Sequence, residues 1–363
     1  MKRNGKVDFL RFVFALFIMF LHYGYRAEFS IFGNTLYLGQ NGAFGVRFFF
    51  ILSGYLLALS VERISQKDRE CQTRPNIGTL TKDNISFLLR KYSSYIKWYL
   101  PAFFLCVLLD CFQVGITAAL KGTLCSIQNI LLLGSLGFSF DGASIGYYVG
   151  ASWFLSALFL AQIILFPIMR YQYRLWSRVI SPIVFIILLA LDVNGYGNRV
   201  TYAIYCMILG GVCYEIVKVL SKRSYKGWFC NLLRVIEFGI YLMCIAFMCS
   251  QAVEDAVYGM MFLVAFAIIL SFLPQTQYGF FKHPIFSFLG KVSFPLYLLH
   301  IQVLHWADYF LVLLHKNPPD YVKYPVLYLC AILISIGFYL LFEWLGKIDW
   351  KKKWHWLIDG GTT

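Results

Sequence analysis

The sequence predicts an all-α fold, a polytopic integral membrane helix bundle of about ten transmembrane helices with both termini in the cytosol. Of its 363 residues, 60% are hydrophobic and only 14% are charged, whereas soluble domains carry about 25% charged residues. Apolar runs of roughly 17 to 25 residues, the length that crosses a bilayer as a helix, recur along the chain. Most of the basic residues lie in every second loop between these runs. The composition therefore excludes a soluble globular protein.

The apolar runs define ten predicted spans in one continuous bundle. The first run is too long for a signal-peptide core and has no small-residue cleavage site, so we expect it to be retained as a helix. We assign residues 1–350 to a single transmembrane domain and residues 351–363 to a short basic cytosolic tail. The predicted spans are 8–25, 43–61, 99–120, 148–169, 179–193, 200–217, 235–251, 256–274, 293–314 and 324–345.

The lysines and arginines predict how these spans are oriented. With the N-terminus in the cytosol, 25 of the 32 basic residues fall on the cytosolic side, 5 fall outside, and Arg11 and Arg47 lie within spans. An excess of Lys and Arg in cytosolic loops is the positive-inside pattern. The net charge of +14 therefore reflects topology, and no nucleic-acid partner is predicted. The longest cytosolic loop is 62–97, and its second half is predicted to form a helix at the membrane surface.

The stretch RFVFALFIMFLH, residues 11–22, places two ionisable groups in the first span. Arg11 and His22 are eleven residues apart, so at 100° per residue they share one helix face, about 16 Å apart along the axis. Arg11 is expected near the cytosolic end and His22 well into the span. Such residues usually face a bundle interior or a watery cavity, which suits a long anionic substrate. A snorkelling arginine and a hydrogen-bonded core histidine are the alternative.

Two other spans carry isolated polar residues. In GAFGVRFFFILSGYLLA, residues 42–58, Ser53 and Gly54 lie in mid-span, where small residues let helix backbones approach closely. Asp110 is a lone carboxylate within the third span, and it must be paired or protonated there. It could orient His22 or pair with a basic group on a neighbouring helix. Glutamates near span ends, Glu237 among them, are predicted at the membrane interface.

The stretch LGKVSFPLYLLH, residues 289–300, leads into the ninth span. Ser293, Tyr297 and His300 follow one another at intervals of four and three residues, so they share one helical face. This face is either part of a substrate cavity or a packing network within the bundle. The ten cysteines of the chain form no CxxC pair, and no metal site is predicted.

These stretches together resemble the membrane acyltransferase 3 family, bacterial enzymes that O-acylate polysaccharides and related glycans. RFVFALFIMFLH, VRFFFILSGYL, WFLSALFLA at 153–161 and LGKVSFPLYLLH occur in this order over almost the whole chain. The resemblance implies an O-acyltransferase of the bacterial inner membrane. It would move an acyl group, with acetyl favoured, from cytosolic acetyl-CoA or another acyl-CoA to a hydroxyl of a glycan or lipid-linked sugar.

The resemblance also implies roles for individual residues. His22 matches the family's first-helix histidine, the favoured catalytic base, and Arg11 matches the arginine that assists donor binding or positioning. Imidazole can accept a hydroxyl proton near neutral pH. A basic cluster before Pro101 matches the family's basic run ahead of the third helix and would hold the donor phosphates. Ordinary positive-inside charge is the alternative for this cluster, which consists of Arg90, Lys91 and Lys97.

Two positions depart from the family pattern. Trp153 is present, but Leu158 stands where many relatives have a glutamate, which removes one acidic partner for the histidine. Arg47 stands where an acidic or small residue is common. It could meet an acidic glycan or acyl group, or snorkel to the outer interface. The residues expected to line the cavity or substrate path are Arg47, Ser53, Asp110, Trp153, Ser293, Tyr297 and His300.

A function of another class is also compatible with these residues. In a transporter or channel, Arg11, Asp110 and His22 would form an ion or proton relay. Secondary transporters commonly show paired broken helices at corresponding positions of two halves. We find no matching interruptions in this sequence, so the acyltransferase interpretation is preferred. The acceptor, the acyl chain, and direct transfer against an acyl-enzyme route stay open.

Overall fold

The computed structural model describes residues 3–23, 28–31, 34–71, 76–136, 152–250 and 256–347, and it confirms the all-α helix bundle. Residues 148–151 of the fourth predicted span and the tail at 351–363 lie outside the described residues. The helices, in chain order, are α1 (Gly5–His22), α2 (Phe44–Glu70), α3 (Ile77–Gln113), α4 (Ile116–Cys125), α5 (Ile127–Ile130), α6 (Ser152–Tyr171), α7 (Tyr173–Leu175), α8 (Ser181–Val193), α9 (Arg199–Leu220), α10 (Gly227–Cys249), α11 (Ala256–Phe272), α12 (Pro284–Leu313) and α13 (Asp320–Lys347).

Each predicted span coincides with a helix over most of its length. Eight helical stretches in the described residues are long and apolar enough to cross a membrane, counting Tyr173–Val193 as one. The first predicted span, α1, carries three charged residues, and the apolar part of α11 is shorter, Tyr258–Phe272. The count of ten crossings and the cytosolic position of both termini stay predictions.

The short non-α elements lie at the ends of helices. Strands β1 (Glu28–Ile31) and β2 (Asn34–Tyr37) form an antiparallel hairpin between α1 and α2. A π-helical turn, Trp176–Ile180, joins α7 to α8. Two 3₁₀ turns, Pro274–Thr276 and Phe280–Lys282, precede α12.

The predicted loop 62–97 is largely helical. The helix α2 continues to Glu70, and α3 begins after Asn76, whose side chain accepts a hydrogen bond from the Thr79 amide at 2.8 Å. Such a cap satisfies the free amides of a first helical turn. The helix expected in the second half of the loop is therefore continuous with the third span, and α3 is 37 residues long.

Buried ion pairs join the polar ends of these helices. Arg170 of α6 is 4% exposed, and its guanidinium lies 2.6 Å from Asp68 of α2 and 2.9 Å from Asp83 of α3. One arginine can bind two carboxylates because its five donors spread over a planar fork. Arg170 therefore anchors both helical extensions to the bundle.

Glycines set the close contact between α2 and α9. A Cβ atom added to Gly54 would overlap the Met207 carbonyl, and one added to Gly210 would overlap the Ile51 carbonyl. The close approach expected at Gly54 is thus confirmed. At Gly211, by contrast, an added Cβ would lie 4.0 Å from its nearest neighbour, the Cβ of Ala58.

This contrast gives a matched pair of substitutions. Gly210→Ala is expected to lower the free energy of unfolding by about 1–3 kcal/mol, the usual cost of overpacking, because backbone atoms must move. Gly211→Ala on the same helix should be neutral or slightly stabilising, since alanine is the better helix former. Unfolding in mixed detergent–SDS micelles measures both. Equal stability of the two variants would contradict the close contact.

The N-terminal turn of α1 is held by a buried ion pair. The Lys6 ammonium lies 2.7 Å from Glu237 Oε1 and donates to Thr276 Oγ1 at 2.8 Å. Tyr241 donates to the same glutamate oxygen at 2.6 Å. Lys6 is 0% exposed and Glu237 is 1% exposed. The Glu237 carboxylate is enclosed by protein and fixes α1 against α10, and its position at the membrane interface stays a prediction.

Candidate active site

The helices α1 and α12 bring two histidines together. The ring centroids of His22 and His300 lie 5.3 Å apart, with the ring planes inclined at 36°. His22 is exposed and His300 is fully buried. Tyr23 reinforces the contact, because its hydroxyl donates to the His300 carbonyl at 2.8 Å. The sequence indicated both histidines as site residues but not that they form a pair.

The end of the first helix differs from the prediction. The helix α1 ends at His22 rather than at residue 25, and Tyr23 follows as its C-cap. His22 therefore occupies the final turn of α1, not a position deep within it. The His22 imidazole is exposed at this helix end.

The hydrogen bonds of His300 define its tautomer. Its Nδ1 lies 3.0 Å from the Leu296 carbonyl. A carbonyl oxygen only accepts, so Nδ1 must carry the proton, and Nε2 of the neutral ring bears a lone pair. In the described part of the chain, this Nε2 is buried with no hydrogen-bond partner. The pair therefore combines an exposed imidazole with a buried acceptor beside it.

Aromatic rings enclose the buried side of this pair. The Tyr297 ring lies 6.2 Å from the His300 ring, which confirms that the two residues share one face of α12. Phe154 of α6 lies 5.3 Å from Tyr297, and Phe49 of α2 lies 6.1 Å from it. We did not predict Phe49 or Phe154. Their only sequence signal was their position in the aromatic stretches that carry Arg47 and Trp153.

Ser293 lies on α12 with Tyr297, and Ser53 lies on α2 with Phe49. Ser293 is fully buried, and its hydroxyl donates to the Gly290 carbonyl at 2.9 Å. That bond is internal to α12, as is common for serine in helices. Ser53 is half-buried next to Gly54. Neither the hydrogen bond of Ser293 nor the burial of Ser53 tests their expected role in a substrate cavity.

Trp153 and Arg47 contact other aromatic residues. The Trp153 ring lies 6.4 Å from Phe50, and the guanidinium of Arg199 lies 5.4 Å above it. The contact of α6 with Tyr297 is thus made by Phe154. The Arg47 guanidinium lies 4.8 Å from the ring of Phe44 and 5.3 Å from that of Tyr202 on α9, a cation–π arrangement.

Arg11 lies in a charged group at the opposite end of α1. Its guanidinium is 3.8 Å from Asp8, and its side chain is 31% exposed. The Arg3 guanidinium donates two hydrogen bonds of 2.8 Å to the same carboxylate. Hydrogen bonding to Asp8 raises the pKa of the Arg3 guanidinium above its usual value, so Arg3 stays charged. The Asp8 carboxylate therefore forms ion pairs with two guanidinium groups.

A cleft of about 470 Å³ opens beside this group. Arg3 and Asp8 line it together with Lys282 and His283, which precede α12. We did not predict these four residues as part of the site. The available signal was the spacing of Asp8 and Arg11, three residues apart on one helix face. The cleft lies at the end of α1 expected to face the cytosol.

The other predicted donor residues lie along α3. Arg90 is exposed, and its Nε donates to the Ser86 carbonyl of the same helix at 3.1 Å. The ammonium of Lys91 lies over Phe87, and that of Lys97 lies 5.5 Å from Phe342 of α13. Among the described residues, the contacts of this cluster are therefore with α3 and α13, and not with Arg11.

Asp110 lies in another cleft, between α3 and α12. Its electrostatic neighbour is His305, a basic group on a neighbouring helix, which was one of the two predicted arrangements. The cleft is lined by both residues and by Gln302 and Trp306. The alternative, that Asp110 orients His22, has no support in these contacts.

Sequence comparison identifies the family of the chain. A family model described as an acyltransferase domain, that of the membrane acyltransferase 3 family, matches residues 4–344. No curated protein and no solved structure gives a significant match to the chain. The matched residues include all of α1, with Arg11 and His22, and almost all of α13. The chain therefore belongs to the membrane acyltransferase 3 family and is a multi-pass membrane acyltransferase.

Proposed function

We propose that this acyltransferase moves an acyl group, with acetyl favoured, from cytosolic acetyl-CoA or another acyl-CoA to a hydroxyl group. The acceptor is a glycan or lipid-linked sugar at the outer side of the bacterial inner membrane. The observation that carries the proposal is the contact of the His22 and His300 rings at 5.3 Å. An exposed imidazole backed by a second one is a suitable general base.

In a direct transfer, His22 takes the proton of the acceptor hydroxyl as its oxygen attacks the thioester carbonyl carbon. The tetrahedral intermediate collapses with cleavage of the C–S bond, and the thiolate receives the proton from His22 to give free CoA. His300 Nε2 is a buried acceptor without a described partner. It would accept a hydrogen bond from the His22 imidazolium, the orienting role that a carboxylate has in a catalytic triad.

The opposite end of α1 supports a donor site. Arg11 and Arg3 share Asp8, and Lys282 lies in the adjoining cleft. Arginine binds phosphate oxygens through two parallel hydrogen bonds. The phosphates of CoA would stay at this end, and its flexible arm would carry the thioester about 16 Å along α1 to His22. Arg90, Lys91 and Lys97 are proposed to add positive charge for the donor.

Acyl transfer can be tested directly in proteoliposomes. Labelled acetyl-CoA is supplied on the cytosolic side, and label is followed into a soluble glycoside on the other side. We expect labelled ester to form only with protein, donor and glycoside all present. Ion or solute flux without any acyl donor, in the absence of transfer, would instead support the transporter interpretation.

Arg11→Ala is expected to raise the KM for acetyl-CoA by about 10-fold or more, since hydrogen bonds to charged groups contribute about 1.5–3 kcal/mol. The turnover number should change less, because Arg11 lies far from the reacting atoms. Arg223→Ala, at an exposed position between α9 and α10, removes the same charge elsewhere and serves as control. An unchanged KM in Arg11→Ala would contradict the donor role.

A further inference from the structure

A second site lies on the other side of α12 from the histidine pair. Gln302 follows His300 by two residues, so its side chain points about 200° around the helix. It lines the cleft between α3 and α12, which has a volume of about 500 Å³. Ligand pockets in proteins commonly measure about 300–1,000 Å³. The cleft is therefore large enough for a small molecule and separate from the His22 side of α12.

Gln302 carries an unused acceptor. It is 2% exposed, and its Nε2 donates to the Cys106 sulfur at 2.8 Å. Its Oε1 is buried and has no hydrogen-bond partner among the residues that the structure describes. Burying an amide oxygen without a donor is costly. A bound molecule with an O–H or N–H group would satisfy it.

The charges of the cleft favour a neutral ligand. Asp110 has His305 as its electrostatic neighbour, and Asp308 lies 2.6 Å from the ammonium of Lys323. Asp308 is therefore already paired with a cation and does not require a second one, and Asp110 has the titratable His305 ring beside it in the same cleft. Phosphate groups are disfavoured as well, because two carboxylates line the cleft. The polar groups of the cleft that are left to bind a ligand are oxygen acceptors, and these suit the hydroxyl groups of a neutral molecule.

One wall of the cleft is a fixed aromatic surface. The Trp306 indole donates its N–H to the Leu105 carbonyl of α3 at 3.1 Å. Phe112 and Tyr309 meet this ring edge-on, with centroids 6.0 Å and 6.2 Å away. Because its only donor is used, the indole offers the cleft an apolar surface. A sugar ring combines an apolar C–H face with hydroxyl groups and matches both features.

We infer that the α3–α12 cleft binds a glycosyl unit, with Gln302 Oε1 accepting a hydrogen bond from a sugar hydroxyl and Trp306 packing on the ring. The inference rests on the proposed function, in which a sugar is the acceptor. Because the cleft lies on the opposite face of α12 from His300, it is a holding site for the acceptor glycan rather than the point of transfer.

The test measures binding without an acyl donor. Full-length protein in nanodiscs is titrated with methyl β-glucoside and methyl N-acetyl-β-glucosaminide, followed by saturation-transfer NMR, with glycerophosphoglycerol as an anionic headgroup probe. We expect a glycoside to bind and Gln302→Met, which keeps side-chain length without the amide, to weaken binding at least 10-fold. Gln162→Met, at another glutamine that is 2% exposed but bonded to Tyr95, should leave it unchanged.

Other outcomes separate the two proposals. Equal glycoside binding by Gln302→Met and the wild type, or binding of the headgroup probe alone, would overturn the cleft assignment. If Gln302→Met does not fold, Trp306→Leu, which removes the aromatic surface of the cleft, takes its place, and unweakened binding there has the same meaning. Glycoside binding without acyl transfer would contradict only the proposed function, and transfer without glycoside binding would contradict only the cleft.

Discussion

Replacing His22 with alanine is expected to lower the turnover number for acyl transfer by about 10²- to 10⁴-fold, the usual contribution of a positioned general base. The KM for acetyl-CoA should stay close to that of the wild type, because the proposed phosphate site lies at the other end of α1. Initial rates in proteoliposomes at saturating acetyl-CoA measure the effect. Wild-type turnover in this variant would remove His22 from the mechanism.

His300 provides a second measurement on the same pair. If its Nε2 orients the His22 imidazolium, His300→Phe should also reduce turnover, and the double variant should be little slower than His22→Ala alone. Residues that act as a unit show this loss of additivity. Multiplicative effects of the two substitutions would show that the histidines act independently, despite their ring separation of 5.3 Å.

A matched control separates catalysis from the general loss of an imidazole. His315 is exposed, just beyond the C-terminus of α12. His315→Ala should therefore retain the wild-type turnover. If it lost activity to the same degree as His22→Ala, the effect could not be assigned to the His22–His300 pair.

Glu237→Ala is expected to lower the free energy of unfolding by about 3–5 kcal/mol, the range for breaking a buried ion pair by removal of one partner. The cause is the Lys6 ammonium, which is 0% exposed and would lose its carboxylate at 2.7 Å. Tyr241 would lose its acceptor at the same time. Unfolding in mixed detergent–SDS micelles gives the difference.

The double variant Lys6→Met, Glu237→Leu tests whether the loss comes from the stranded charge. Replacing a buried ion pair with apolar groups of similar size is often neutral or stabilising, so most of the stability should return. A double variant as unstable as Glu237→Ala would show that packing, not charge, accounts for the loss.

The pair Lys323–Asp308 is a suitable control for this experiment. The two charged groups lie 2.6 Å apart, but the Asp308 side chain is 46% exposed. Exposed ion pairs contribute about 0–1 kcal/mol. Lys323→Met should therefore change the stability far less than Glu237→Ala, although the two ion pairs have nearly the same length.

The membrane helix bundle and the shared face of Arg11 and His22 on α1 follow from the order of residues along the chain. The backbone of a lipid-exposed segment must satisfy its hydrogen bonds within that segment, so each span is a helix. Each such helix is recognised in the sequence as an apolar run long enough to cross the bilayer. The 3.6-residue period then fixes which residues share a helix face. Tyr297 and His300 were predicted on one face for the same reason, and their rings lie 6.2 Å apart.

The faces at which the helices meet depend on how the whole bundle packs. The contact of His22 with His300, the ion pair of Lys6 with Glu237 and the place of Gln302 in the α3–α12 cleft each join residues far apart in the chain. Between apolar helices, association depends on shape, small residues and a few polar contacts. These depend on both partners at once, so no periodicity within a single span reveals them.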